Sequence, residues 1–203
     1  MLDNRKVRGA AAFVVDPVAR GLLRLGVSPN QLTFFTAIAT SLSAIAFWSR
    51  GEFALGLLVG LPFVVGDLLD GTMARISGKT SAFGGFLDSV MDRVSDAAIF
   101  GSVVFFFASQ GDLRAAAAGL VAMSAGAVVP YARAKAESLG VVGKTGLMER
   151  SDRLLVVLIG ALWAAFGYEQ GLAFAMYLLA PLTVFTVGQR MRAVYLGLSD
   201  AGR

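Results

Sequence analysis

The 203-residue sequence predicts an all-α, polytopic membrane protein with six transmembrane helices, preceded by an N-terminal amphipathic helix at the membrane interface. Three observations predict this class. The chain is 56% hydrophobic with a mean hydropathy of +0.69, more apolar than a soluble domain needs to be. Its apolar residues gather into uncharged runs that approach the ~20 residues needed to cross a bilayer. Its lysines and arginines fall between those runs, mostly at alternate junctions. The length fits one membrane domain over residues 1–203.

Residues 1–26 set Arg5, Lys6, Arg8, Arg20 and Arg24 among Phe13, Val14, Val18, Leu22 and Leu25, the pattern of a helix lying on the inner leaflet. No short apolar core followed by a small-residue cleavage site is visible there, so no cleavable signal is expected. Ser28 and Pro29 open the first span, because serine caps a helix and proline suits its first turn. The spans are expected at about 31–49, 53–74, 85–109, 113–134, 153–169 and 170–190. The first ends at Arg50-Gly51-Glu52. The second is uncharged from Phe53 to Gly66, kinks at Pro62, and then reaches Asp67. A short loop over 75–84 leads to the third, whose opening turns hold Asp88 and Asp92. The fourth has Pro130 near its end and gives way to a polar segment running to Arg153. The fifth is short for a bilayer, so its flanks must snorkel or the membrane must adapt. The sixth closes on Gln189, Arg190 and Arg192.

Six spans put both termini on one side. Of the 18 lysines and arginines only Arg50 and Arg114 fall on the opposite side, so the positive-inside rule places the termini, and the acids beside Arg75, at the cytoplasmic face of the cell membrane. The net charge of +4 then reflects cytoplasmic loops, and no nucleic-acid partner is expected. With no cysteine and no histidine there are no disulfides, thiolates, imidazole bases or histidine-type zinc sites. Any general base must be a carboxylate, a lysine, a tyrosine or a bound hydroxide.

Four acids, Asp67, Asp70, Asp88 and Asp92, sit in sequence that otherwise reads as membrane helix. Asp67 and Asp70 share one helix face, and so do Asp88 and Asp92. Gly71, Ala74 and Gly84 on the same stretch allow close approach of a ligand or backbone. Carboxylates inside apolar helices are costly, and their default reading is functional. Two pairs could hold one or two divalent metals through oxygen. The other reading is a set of buried ion pairs, but only Arg75, Lys79 and Arg93 are near enough in sequence to neutralise four acids. Asp96, four residues beyond Asp92, reads as a structural or ion-pairing acid.

The spacing D-x2-D-G-x2-A-R-x8-G-x3-D-x3-D, met by Asp67, Asp70, Gly71, Ala74, Arg75, Gly84, Asp88 and Asp92, resembles the signature of the CDP-alcohol phosphotransferases. The resemblance implies that Asp67, Asp70 and Asp88 hold metal and that Asp92 is both ligand and proton acceptor. It implies magnesium, two ions, with manganese as a substitute, which suits oxygen-only ligands. Pro29-Asn30-Gln31-Leu32-Thr33 matches a softer family feature linked with the cytidine-nucleotide lipid. Together with Gly71, Ala74, Arg75, Ser81 and Gly84, those residues are the implied contacts of CDP-diacylglycerol. The implied reaction joins CDP-diacylglycerol to an alcohol, giving a phospholipid and CMP, in a protein surrounded by membrane lipids. Small residues in spans three and four permit close helix packing, and the resemblance implies a homodimer.

Arg133, Lys135, Arg150, Arg153 and Arg190 form a second cationic set at the inner ends of spans four to six, expected to converge on the acid cluster. Guanidinium forks suit phosphate, so a phosphorylated alcohol is the expected acceptor. The runs Phe86 to Arg93, Arg133 to Glu137, Glu149 to Arg153 and Gln189-Arg190 are similar to the actinobacterial phosphatidylinositol-phosphate synthase branch of the family. That similarity implies inositol 1-phosphate as acceptor, with Arg133, Lys135, Arg153 and Arg190 on its phosphate. Phosphatidylglycerophosphate synthase, whose acceptor is glycerol 3-phosphate, is the nearest alternative, although Ser89 and Arg93 depart from its pattern. A six-span cation transporter is more remote, because transport acids belong near the bilayer midplane.

Overall fold

The computed structural model describes residues 15–78, 80–141 and 146–201, with the side chains at 67, 68, 200 and 201 outside that description. Among these residues there are helices and turns but no strand. Helix α1 covers 15–24, within the expected interfacial helix, whose residues 1–14 lie outside the described residues. The others are α2 (Pro29–Phe47), α3 (Phe53–Ser77), α4 (Ala82–Ser109), α5 (Leu113–Ser138), α6 (Arg150–Ala165) and α7 (Glu169–Ala201).

Local chemistry accounts for several boundaries. Ser28 and Gln31 close a capping box at the start of α2: Gln31 Oε1 accepts from the Ser28 N–H at 2.9 Å, and Ser28 Oγ accepts from the Gln31 N–H at 3.3 Å. Gly78, at φ +65°, stops α3 in the left-handed conformation that glycine adopts without strain. The expected 75–84 loop is therefore shorter, and Arg75 belongs to the helix. Asp112 caps α5 by accepting from the Ala115 N–H at 3.0 Å. Asp152 Oδ2 accepts from the Glu149 N–H at 2.9 Å and starts α6 at Arg150. Arg190 and Arg192 do not end α7, which continues to Ala201.

Among the described residues, four stretches are long and apolar enough to cross a membrane: Pro29–Arg50, Phe53–Ser77, Leu113–Ser138 and Glu169–Ser199. Helix α4 has the length but carries Asp88, Asp92, Arg93 and Asp96. Helix α6 has 16 residues, about 24 Å of helix against a hydrocarbon core of about 30 Å. Large apolar side chains face outward along α2 (Phe34, Phe35, Leu42) and α7 (Phe174, Phe185), as suits a lipid-facing surface.

The chain forms two compact units. The first takes in the residues up to Ala44 and Leu58–Asp96, and the second Ile45–Leu57 and Ala97–Arg203. The second is built around α7, which packs on both α5 and α6. Small residues bring these helices close: a Cβ on Gly160 would stand 2.9 Å from Ala175 Cβ and 3.1 Å from the Leu172 backbone. Elsewhere in this unit Phe53 meets Phe106 edge-on at 4.9 Å between ring centres, beside Phe107 and Trp48.

Candidate active site

The first unit is set by how closely α2 approaches α3. A Cβ on Gly60 would lie 3.0 Å from Ser43 Oγ, and one on Gly66 would lie 3.1 Å from Thr36 Cγ2. Further along, the Thr33 hydroxyl donates to Asp70 Oδ2. Numbers fall on α2 as they rise on α3, so the two helices run antiparallel in tight contact. Hydrogens in place of methyl groups at 60 and 66 let the next pair, Thr33 and Asp70, meet. The contact leaves Asp70 only 8% exposed, with its carboxylate oriented by a hydroxyl from a neighbouring helix.

Beyond this pair lies a cavity of about 310 Å³. Helix α2 gives it Pro29, Asn30 and Thr33; α3 gives Asp70, Gly71, Ala74 and Arg75; the turn and start of α4 give Thr80, Ser81, Gly84, Gly85 and Asp88. Ser81 caps α4 by accepting from the Gly84 N–H at 3.0 Å. Gly84 sits so close to α2 that a Cβ would be 3.2 Å from both Asn30 Oδ1 and Ser81 Oγ. Arg75 is exposed, with Nη2 donating to Thr72 Oγ1 at 2.9 Å and Nη1 lying 3.7 Å from where a Cβ of Gly71 would be. The cavity thus offers one carboxylate from each of two helices, a guanidinium and a glycine-lined wall.

Asp92 lies one turn past Asp88 on α4 and is not among the described lining residues. Arg93 Nη2 sits 3.6 Å from Asp92 Oδ2 and 3.8 Å from Asp96 Oδ2, so Asp96 pairs with an arginine. Among the described residues no three carboxylates form a metal-holding group; the side chain of Asp67, expected to be the fourth acid of the set, lies outside the described residues. The donor types themselves are all oxygen, with no histidine or cysteine in the chain. That chemistry fits a hard divalent cation.

In the second unit the expected acceptor residues divide into two layers. Arg133 and Lys135 are exposed on α5, with Arg133 Nε donating to Glu137 Oε1 at 2.8 Å. Arg153 and Arg190 are 1% and 4% exposed. Arg153 donates to the Met148 and Gly126 carbonyls at 3.3 and 3.4 Å, and Arg190 Nη1 donates to the Val129 carbonyl at 2.6 Å. Arg190 is also within electrostatic reach of Arg133, Glu137 and Glu149. Thr186 and Gln189 on α7 accept from the Met148 and Leu147 N–H groups, tying the 146–149 turn to the same helix.

Residues 26–187 match the sequence profile of the family described as CDP-alcohol phosphatidyltransferase. The chain belongs to that family. This phosphatidyltransferase is 38% identical over 199 residues to a phosphatidylinositol phosphate synthase of Streptomyces avermitilis, covering 94% of this chain and 82% of that protein. It is 37% identical over 206 residues to the phosphatidylinositol phosphate synthase of Mycobacteroides abscessus, covering 97% and 94%. Its fold is similar to the crystal structure of the Mycobacterium tuberculosis phosphatidylinositol phosphate synthase with CDP-DAG bound, at a TM-score of 0.86 and 36% identity, over 91% of this chain and 94% of that one. A second crystal structure of that synthase, in complex with manganese and citrate, aligns at a TM-score of 0.85, over 89% and 88% of the two chains.

Eight of the residues expected to touch the CDP-lipid line the phosphatidyltransferase cavity: Pro29, Asn30, Thr33, Gly71, Ala74, Arg75, Ser81 and Gly84. Gln31 and Leu32 are not among the described lining residues; Gln31 is engaged in the capping box of α2. Sequence reasoning missed Gly85 as a wall of the cavity. Its position directly after Gly84 at the opening of α4 was the available signal.

Proposed function

We propose that this enzyme transfers a phosphatidyl group from CDP-diacylglycerol to inositol 1-phosphate, giving phosphatidylinositol phosphate and CMP. One observation carries the reading: Asp70 and Asp88 line the same cavity as Pro29, Asn30, Thr33, Gly71, Arg75 and Gly84. The synthases named above, which match over nearly the whole chain, support the choice of acceptor.

In this reading the nucleotide and its phosphates lie against Gly71, Ala74, Gly84 and the Pro29–Thr33 segment, with Arg75 paired to phosphate. Asp67, Asp70, Asp88 and Asp92 hold two divalent ions, Mg2+ by preference and Mn2+ as a substitute. What the bound ions supply is neutralisation of the pyrophosphate and of the departing CMP phosphate. Thr33 keeps Asp70 turned toward the cavity. Asp92 takes the proton of the acceptor hydroxyl as that oxygen attacks the phosphorus bearing the diacylglycerol. The bond from that phosphorus to the bridging oxygen breaks, and its electrons leave with CMP. Arg133 and Lys135 contact the acceptor phosphate, with the charges of Arg153 and Arg190 behind them.

The remaining parts of the reading concern the membrane. The enzyme crosses the cytoplasmic membrane six times, with α4 and α6 as the two crossings that charge and shortness disguise. Its N-terminal helix lies on the inner leaflet, both termini and the acid site face the cytoplasm, and the working form is a homodimer.

The test is CMP release by purified enzyme with CDP-diacylglycerol and Mg2+, offering inositol 1-phosphate, glycerol 3-phosphate and free inositol in parallel. Release with inositol 1-phosphate alone is expected. Release only with glycerol 3-phosphate would keep the acid site and overturn the acceptor.

A further inference from the structure

Pro130 lies inside α5, and its ring nitrogen carries no hydrogen. The carbonyl four residues earlier, on Gly126, is thereby deprived of its intrahelical donor. It takes one from another helix: Arg153 Nη2, at the start of α6, reaches Gly126 O at 3.4 Å, while Nη1 reaches Met148 O at 3.3 Å. Glycine makes the approach possible, since a Cβ at 126 would stand 3.3 Å from Arg153 Nε. The guanidinium ends 1% exposed. A buried cation without partners is costly, so its partners determine where it sits.

Proline in a helix interior opposes local propensity. Where a local rule is broken and a specific contact gains from it, function is the place to look. We infer that Pro130 and Gly126 are positioning residues for the acceptor side of the reaction. The carbonyl orphaned by proline anchors Arg153, and Arg153 holds the turn at Met148 and the first turn of α6 against α5, the helix that presents Arg133 and Lys135. This rests on the reading that these cations receive the acceptor phosphate.

The experiment compares Pro130→Ala, Gly126→Ala, Arg153→Ala and the Pro130→Ala/Arg153→Ala double variant of the full-length enzyme, measuring KM separately for inositol 1-phosphate and CDP-diacylglycerol, with thermal stability alongside. Pro130→Ala returns an N–H to the Gly126 carbonyl and favours the helix, so its melting temperature should equal or exceed that of the parent. Its acceptor KM should rise about tenfold, the size of one hydrogen bond to a charged group, with KM for the CDP-lipid unchanged. Gly126→Ala should do the same by displacing the guanidinium. The double variant should be no worse than Arg153→Ala, because both changes act through one contact. An unchanged acceptor KM in Pro130→Ala, equal rises for both substrates, or additive losses in the double variant would each overturn the inference. Failure of the parent enzyme to use any phosphorylated alcohol would sink the acceptor reading itself, and the inference with it, before a variant is made.

Discussion

Thr33 on α2 gives its hydroxyl hydrogen to Asp70 Oδ2 on α3, across 37 positions of sequence. The same Thr33 oxygen lies 3.1 Å from the Pro29 carbonyl of its own helix. One oxygen of the carboxylate is therefore held by a helix that contributes no acid to the expected metal set, while the other accepts from the Gly71 N–H of its own helix. Partners of this kind tune a ligand as strongly as many direct contacts do.

Replacing Thr33 with valine keeps the shape and removes the donor. Turnover or apparent Mg2+ affinity should fall by about 10- to 100-fold, the usual effect of losing a partner that orients a metal ligand. Thr33→Ser should restore most of it. Mg2+ titrations of CMP release will read the difference.

Asp92→Asn is expected to abolish turnover while CDP-diacylglycerol still binds, as measured by equilibrium binding to detergent-solubilised enzyme. Wild-type turnover in this variant would remove Asp92 as the proton acceptor.

Gly84→Ala places a methyl 3.2 Å from Asn30 Oδ1 and Ser81 Oγ. The cavity wall must give way, so KM for the CDP-lipid should rise several-fold, by about 1 kcal/mol of lost binding, while KM for the acceptor stays put. A rise confined to the acceptor would contradict the assignment of this wall.

Arg133→Ala should raise the acceptor KM far more than the CDP-lipid KM. Its exposed pair with Glu137 contributes about 0.5 kcal/mol at most, so the melting temperature should scarcely move. A large loss of stability without a change in KM would make the arginine structural.

Stripping divalent ions with EDTA should stop CMP release, and Mg2+ or Mn2+ should restore it. Asp70→Ala should not be restored at any reasonable ion concentration. Persistent activity in chelator would end the metal-assisted reading.

Asp70 and Asp88, the two acids that line the cavity, were legible because their chemistry is carried by residue type and spacing. A carboxylate in apolar sequence is conspicuous, and helical periodicity shows which acids share a face. Pro29, Asn30 and Thr33 were expected at the cavity from the family resemblance; the capping motif by itself gave only where α2 begins. Gln31 shows the limit, since one side chain can close a capping box or face a ligand, and spacing does not choose between them. Burial was not legible at all. Arg153 and Arg190 read as cations at the inner ends of their spans, yet both are buried, each donating to a carbonyl of α5. One partner of Arg153, the Gly126 carbonyl, lies four residues before Pro130, which has no N–H to give it, and no pattern of charge reveals that. Helices α3 and α7 extend beyond the spans expected within them, since a left-handed glycine rather than Arg75 ends the first and the second runs on past its arginines.

The contact between α2 and α3 depends on groups that are missing. Gly60 lies ten residues from Asp70, about 15 Å along the helix, and still governs whether Thr33 can reach it. In a comprehensive mutational scan, intolerance should therefore run as a stripe down α3, through 60 and 66 to 70, with a matching stripe on α2 through 43, 36 and 33. The stripe should penalise added volume on α3 more than lost polarity. An inhibitor or resistance mutation that wedges these two helices apart would silence the enzyme without touching a carboxylate.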